Sequence, residues 1–268
     1  MTEERTAKKP VENVNSLERG LAVIRAFDAE HHAMTLSDMA RRVDLPRATT
    51  RRLLHTLVNL GYVSTNGRTF ALTARTLELG YSYLSGSTLR QISLPHLEQL
   101  TGQVHESSSV SVLDGPDIVY VAKIPTRRII SVVISIGTRL PAYATSMGRV
   151  LLAGLDEAEF DAYLESTELA PRTARTITDV SAFRAEIDKV REQGWALVDQ
   201  ELELDLRSIA APLRDRRGRV IAAINMSTST RHHDVEDVLH NLLPELLRSS
   251  ERIDHDLRVS SADGPWAF

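Results

Sequence analysis

Five arginines and a single acid, Asp44, fall between Arg41 and Arg52, the densest positive stretch in the chain. A guanidinium keeps its charge at any physiological pH, and its planar fork of donors fits phosphate oxygens and the N7/O6 edge of guanine. Arg51 and Arg52 are the residues expected to donate to guanine edges or phosphates. Arg47 and the hydroxyls of Thr49 and Thr50 are placed for the nucleic-acid backbone, although Thr50 falls near the apolar side of its helix. His55 shares the polar side, and Arg68, further on, sits at a turn where it can reach a phosphate. A basic run by itself is usually just a solvated face, so the surrounding elements must decide.

A second set of residues could hold an anion. In LPAYATSMGRVLLA a small, polar stretch runs straight into an apolar helical run. The backbone N–H groups of Ser146, Met147 and Gly148 are then expected at a helix start, where amides lack intrahelical acceptors and attract carboxylates. A merely capped helix is the plain alternative. Arg207 and Ser208 precede a strand in VDQELELDLRSIAAPL and could complete such a pocket. Catalytic chemistry finds no support: GxSxG, GxxxxGK[ST], HExxH and a strand-following GxGxxG are all missing from the sequence. His31, His32, His232 and His233 come in adjacent pairs without partners at ligand spacing, so they read as surface residues, with no metal site and no cofactor expected.

The elements that must position the arginines are legible. In SLERGLAVIRAF, Leu17, Leu21, Ile24 and Phe27 recur at helical spacing behind Ser16 as N-cap. Thr35 caps a short second helix with Asp38 at its third position, a capping-box-like start. Asp44 and Leu45 make a tight connection, and Pro46 opens a third helix, where proline is best tolerated. Leu53, Leu54, Leu57 and Leu60 gather on one side of it; Ala48, Arg51, Arg52, His55 and Asn59 take the other. Gly61 ends that helix, and YVSTNGRTFAL makes two strands around an Asn66-Gly67 turn. Asn66 itself reads as a turn residue. Three helices and a hairpin form a winged helix-turn-helix, mainly α.

Beyond it, residues 74–103 read as a helical linker in two segments broken near Ser85 to Thr88, a place for a dimer contact. The period then changes to two: SSSVSVL and IVYVAKI flank a DGPD turn, IISVVISI offers a further strand, and SIAAPL pairs with VIAAINMS. With helices near Ser146, Glu157–Leu164 and Val180–Gln193, residues 104–258 predict an α+β sensor-like domain with an antiparallel sheet. The winged helix spans 13–73, and 259–268 form a tail. A length of 268 residues suits this two-domain division.

Charge agrees with it. The chain is net −4, yet residues 1–72 carry eleven Lys and Arg against eight Asp and Glu, and the rest twenty-one against twenty-eight. There is no cysteine, so disulfides and thiolate metal sites are excluded. With no secretion signal and no apolar run of about 18 residues, the expected location is cytoplasmic, with no membrane partner.

SLERGLAVIRAF with LSDMARRVDLPRATTRRLLHTLVNLGYV resembles the IclR family of bacterial regulators, and the likeness continues through LPAYATSMGRVLLA and RSIAAPLRDRRGRVIAAINMS to cover roughly residues 13 to 258. VDQELELDLRSIAAPL is most similar to the PcaR, PcaU and PobR group, which regulates aromatic-acid catabolism through the β-ketoadipate pathway. The resemblance implies a homodimer or dimer of dimers and a GAF-like effector domain. It also implies a small carboxylated effector such as protocatechuate, 4-hydroxybenzoate or β-ketoadipate. Carried residue by residue, it places the pocket at Ser146, Met147, Ser208, Asn225 and Ser227. Ser208 stands where the family often has cysteine, and Val198, next to Asp199, where it often has aspartate.

Together these readings predict a ligand-responsive transcription regulator on double-stranded DNA. A dimer would read a palindrome-like operator with half-sites about one helical turn, 10 to 10.5 base pairs, or a multiple apart. The rival readings are an enzyme acting on a small carboxylic acid with an autoregulatory DNA-binding domain, and a DNA-binding module that senses a protein partner.

Overall fold

The computed structural model describes residues 13–28, 30–85, 88–126 and 134–260, which divide into two compact units, one ending at Tyr83 and the other starting at Leu84.

The first unit is built on α1 (Asn15–Arg25), β1 (Ala33–Thr35), α2 (Leu36–Arg42), α3 (Arg47–Asn59), β2 (Val63–Thr65) and β3 (Thr69–Leu72), followed by α4 (Leu77–Ser85). Its core gathers Val23, Met34, Met39, Leu54, Leu57, Val63 and Phe70. Two local expectations need correction. The N-cap of α1 is Val14, whose carbonyl accepts from the Leu17 and Glu18 amides, so Ser16 lies inside the helix; Leu17 and Leu21 are exposed and Val23 carries the burial. The polar-looking HHAM stretch hides β1: Met34 pairs with Phe70, so the wing is a three-stranded antiparallel sheet in the order β1-β3-β2. Three residues are too few for alternation to register.

Thr35 caps α2 as its residue type suggested, accepting from the Asp38 amide at 3.3 Å while its hydroxyl donates to the Asp38 carboxylate at 2.7 Å. Asp44 takes a positive φ of 49° at the turn, a conformation Asp tolerates better than most residues. Gly61, at φ +82°, releases the chain from α3 into the wing.

The second unit is a six-stranded, wholly antiparallel sheet in the order β6-β5-β4-β9-β8-β7, made of β4 (Ser107–Asp114), β5 (Asp117–Ile124), β6 (Arg139–Pro141), β7 (Ala196–Asp199), β8 (Leu206–Arg214) and β9 (Val220–Ser229). Because successive side chains alternate in facing, the sheet has two apolar faces, each with its own helical layer. One face packs on α6 (Ser146–Ala153), α7 (Glu157–Ser166) and α8 (Val180–Gln193), through Tyr120, Met147, Leu152, Phe160, Phe183 and Ile187. The other packs on α5 (Thr88–Val104) and on a run of α9 (Val235–Asp237), a π turn and α10 (Leu243–Val259), through Leu97, Leu100, Val110, Ile209, Ile224, Leu246 and Ile253. Burying a side chain such as Phe160 or Phe183 contributes about 1.5–3 kcal/mol, and both are wholly buried.

The α+β class with an antiparallel sheet is as the sequence indicated, while β6, β7 and α10 were not foreseen. Within the stretch read as a linker, α4 ends at Ser85 and α5 begins at Thr88, and Leu89, Leu97 and Leu100 of α5 are core residues of the sheet unit. Most of the expected strand IISVVISI, residues 129–136, and the end of the expected tail, 261–268, lie outside the described residues. No helix among the described residues is long and apolar enough to cross a membrane.

Candidate DNA-reading helix and effector pocket

On α3 the sequence period sets two faces. Thr50, Leu54 and Leu57, at i, i+4 and i+7, face the core, whereas Arg47, Arg51, Arg52, His55 and Asn59 are exposed and Thr49 is half-buried. Thr50 therefore corrects the expectation of a DNA contact: it is fully buried and its hydroxyl donates to the Pro46 carbonyl at 3.2 Å, tying down the first turn. Leu60, expected in the packed cluster, is exposed because the helix ends one residue earlier.

The five arginines separate by what they touch. Arg42 pairs with Asp28 and Arg41 with Asp38 at 3.4 Å. Asp28 is held below the ordinary carboxylate range by a hydrogen bond from His31, with the Arg42 charge adding to it. Arg47, Arg51 and Arg52 have no ion pair within the described residues, so their charge stays available to an external anion. His55 stands edge-on to Phe70 of the wing, ring centroids 6.3 Å apart, which fixes its ring beside the arginines. Arg68 is exposed at the wing tip, and Asn66 shapes that tip by accepting from the Arg68 and Thr69 amides at 3.0 and 2.8 Å. Asn66 is thus a turn residue, as its neighbour Gly67 at φ +89° suggests.

The pocket of the sheet unit opens at the start of α6. Its walls are Tyr120, Ile134, Ala144, Thr145, Met147, Val198, Leu202, Leu206, Ser208, Asn225 and Ser227. Register explains the assembly: Ser208 pairs with Val198 on one side and Ser227 on the other, so the three project to the same face. Ser146 donates to Ser208 at 2.9 Å, and the Asn225 amide nitrogen donates to Ser227 at 3.1 Å. Burial pushes the Tyr120 phenol up, keeping it neutral. Met147, Ser208, Asn225 and Ser227 thus line one site and Ser146 stands directly behind it.

Two expected members are not part of it. The Gly148 amide is already taken by the Thr145 hydroxyl at 3.1 Å, leaving Ser146 and Met147 as the amides ahead of the first intrahelical bond, Arg149 N–H to Thr145 carbonyl. Gly148 serves packing instead, since a Cβ there would stand 2.1 Å from the Ala142 carbonyl oxygen. Arg207 alternates to the opposite face from Leu206 and Ser208; it donates to Asp199 at 2.9 Å and to the His233 carbonyl at 2.5 Å, so it is no counter-charge for the pocket.

His233 is not the surface residue it resembled: it lies between Asp237 and the buried Glu106, with Nε2 3.3 Å from the latter. Sequence reasoning also missed Arg149. It is 1% exposed and joins α6 to the pocket loop through Glu201 at 2.5 Å, with Glu186 at 3.7 Å. An Arg in the otherwise apolar run MGRVLLA was the available signal. Among the described residues no group of His, Asp and Glu is arranged to hold a metal ion.

A winged helix with uncommitted cations on its reading face, followed in the same chain by a sheet domain whose largely apolar pocket carries a few polar groups, defines a ligand-responsive DNA-binding regulator. The chain belongs to the IclR family. Residues 16–67 match the IclR helix-turn-helix domain, and residues 81–255 match the bacterial transcriptional regulator IclR C-terminal domain. It is 44% identical over 245 residues to the Pca regulon regulatory protein of Pseudomonas putida, covering 91% of this chain and 84% of that one. It is 35% identical over 242 residues to the p-hydroxybenzoate hydroxylase transcriptional activator of Acinetobacter baylyi, covering 88% and 89%. The solved structure of an IclR homolog from Microbacterium hydrocarbonoxydans, complexed with 4-hydroxybenzoate, superposes with a TM-score of 0.79 at 28% identity, covering 91% of this chain and all (100%) of the other.

Proposed function

We propose that this regulator controls aromatic-acid catabolism through the β-ketoadipate pathway, with the sheet unit binding a small carboxylate as effector. The likeness over 91% of the chain to the Pca regulon regulatory protein carries this reading, and the convergence of Ser208, Asn225, Ser227 and the α6 start on one pocket supports it. Arg51 and Arg52 contact base edges or phosphates in the major groove, Arg47, Thr49 and His55 the adjoining backbone, and Arg68 a phosphate beside the wing. The effector's carboxylate meets the Ser146 and Met147 amides and the Ser208 hydroxyl. The DNA-binding domain is taken as residues 13–73 and the effector-binding domain as 104–258. The protein acts in the cytoplasm as a homodimer or dimer of dimers on a palindrome-like operator.

An effector works by binding one arrangement of the paired DNA-binding units better than another, because only differential affinity shifts an equilibrium. Selection of bound sequences from a random duplex pool, followed by footprinting, tests the DNA half: paired half-sites about 10 base pairs or a multiple apart are expected, and an unpaired site refutes the dimer. Calorimetry of Ser208→Leu tests the pocket: aromatic-acid binding is lost, whereas wild-type affinity in this variant removes the site.

A further inference from the structure

The polar groups of the pocket are unequal in kind. Ser208 accepts from Ser146 and Ser227 accepts from the Asn225 amide nitrogen, so both serines keep a hydroxyl hydrogen to donate, and the start of α6 adds N–H donors. Against these stands one orphaned acceptor. Asn225 is 3% exposed, lines the pocket, and its Oδ1 accepts from no group among the described residues. A buried acceptor left without a partner is costly, so occupancy by a donor is favoured.

Charge is equally one-sided. No described residue lining the pocket carries a charge, and the buried arginines of the neighbouring elements are committed, Arg149 to Glu201 and Arg207 to Asp199. One carboxylate can be met by amides and hydroxyls. A second would find no cation among the described lining residues, which makes its burial costly; Lys123, outside that lining, is held at the Ile134 carbonyl, 3.1 Å away. The remaining walls, Ile134, Leu202, Leu206, Met147 and Tyr120, are apolar surfaces suited to the faces of a ring.

We infer that Asn225 is the specificity-determining residue of this site, and that through Oδ1 it selects an aromatic monocarboxylate carrying a hydroxyl donor away from the carboxylate. This rests on the effector site proposed above. It divides that site's candidate ligands: hydroxybenzoates fit, while β-ketoadipate, a dianion at neutral pH with no donor, does not. A ligand hydroxyl that donates to Asn225 Oδ1 satisfies the orphan, whereas an unsubstituted ring leaves it buried and unpaired.

The test is calorimetric titration of the full-length protein with 4-hydroxybenzoate, benzoate, 4-methoxybenzoate and adipate, repeated on Asn225→Leu. In the wild type, 4-hydroxybenzoate is expected to bind at least about tenfold tighter than each of the other three. In Asn225→Leu the preference over benzoate falls to within about threefold. Equal wild-type affinity for 4-hydroxybenzoate and for benzoate, 4-methoxybenzoate or adipate overturns the role of Asn225 while the effector site stands. Full discrimination retained by Asn225→Leu does the same. No binding of any of the four at millimolar concentration overturns both. Should Asn225→Leu lose its cooperative thermal transition, the wild-type series alone decides.

Discussion

Replacing Glu201 by Ala strands the most buried cation among the described residues of the sheet unit. Arg149 is 1% exposed, and its guanidinium meets Glu201 at 2.5 Å, the Tyr143 carbonyl at 3.2 Å through Nε, and the Phe183 ring at 5.8 Å. Glu201 also accepts from the Ile177 amide at 3.1 Å, so the variant uncouples three segments at once. Glu186, at 3.7 Å, compensates only in part. Breaking a buried pair from one side costs about 3–5 kcal/mol, because the remaining charge has lost its solvent and its partner. For a domain of this size each kcal/mol lowers Tm by about 2–4 °C, so the transition of the sheet unit should fall by roughly 6–20 °C. Differential scanning calorimetry reads this directly. The double variant Arg149→Met/Glu201→Leu removes both charges and should recover most of the loss. A Glu201→Ala transition within about 2 °C of wild type, or a double variant less stable than the single, refutes the assignment of this pair as a structural tie.

Arg51→Ala should weaken specific operator binding by about 1–3 kcal/mol if the side chain reads a base, with relaxed preference at one position. An equal loss on random DNA, with the slope of log affinity against log salt reduced by about 0.9, makes it a phosphate contact. Gly148→Ala places a methyl against the Ala142 backbone, which cannot yield as a side-chain tip would. Overpacking by about 1–3 kcal/mol and at least about tenfold weaker effector binding are expected in calorimetry, and unchanged values would mean that the α6 start tolerates displacement. Burial pushes the Tyr163 phenol up to about 12 from an ordinary 10.0. The folded state therefore holds its proton more tightly, and the stability this contributes is complete below pH 10 and lost as pH rises toward 12. Tyr163→Phe should flatten that alkaline decline in denaturant melts, and an unaltered pH slope would contradict it.

Local chemistry with a short range was readable in the sequence, and pairing across the sheet was not. Thr35 announced its helix by residue type, Gly61 and Asn66-Gly67 announced the turn into and across the wing, and the period-two runs announced β4, β5, β8 and β9. The exposed face of α3 followed from its period, except at Thr50, where a small hydroxyl beside the stripe packs as well as it projects. Ser208, Asn225 and Ser227 met the pocket that the family resemblance implied. Arg207 failed the same test because one step along a strand reverses the face, and spacing in a loop-to-strand segment leaves the phase undetermined. The amide of Gly148 failed because a neighbouring hydroxyl, Thr145, took it first. Arg149 and Glu201 lie 52 positions apart, so their pairing depended on the fold.

In this regulator one chain is expected to couple duplex DNA to an aromatic acid. Fluorescence anisotropy of the full-length protein on its own upstream DNA, with and without saturating 4-hydroxybenzoate, reads that coupling. Sequence-specific binding whose affinity changes by about five- to 150-fold with the acid, a coupling of roughly 1–3 kcal/mol, is the expected result. Specific binding that the acid leaves untouched, while the acid itself binds, would contradict the coupling.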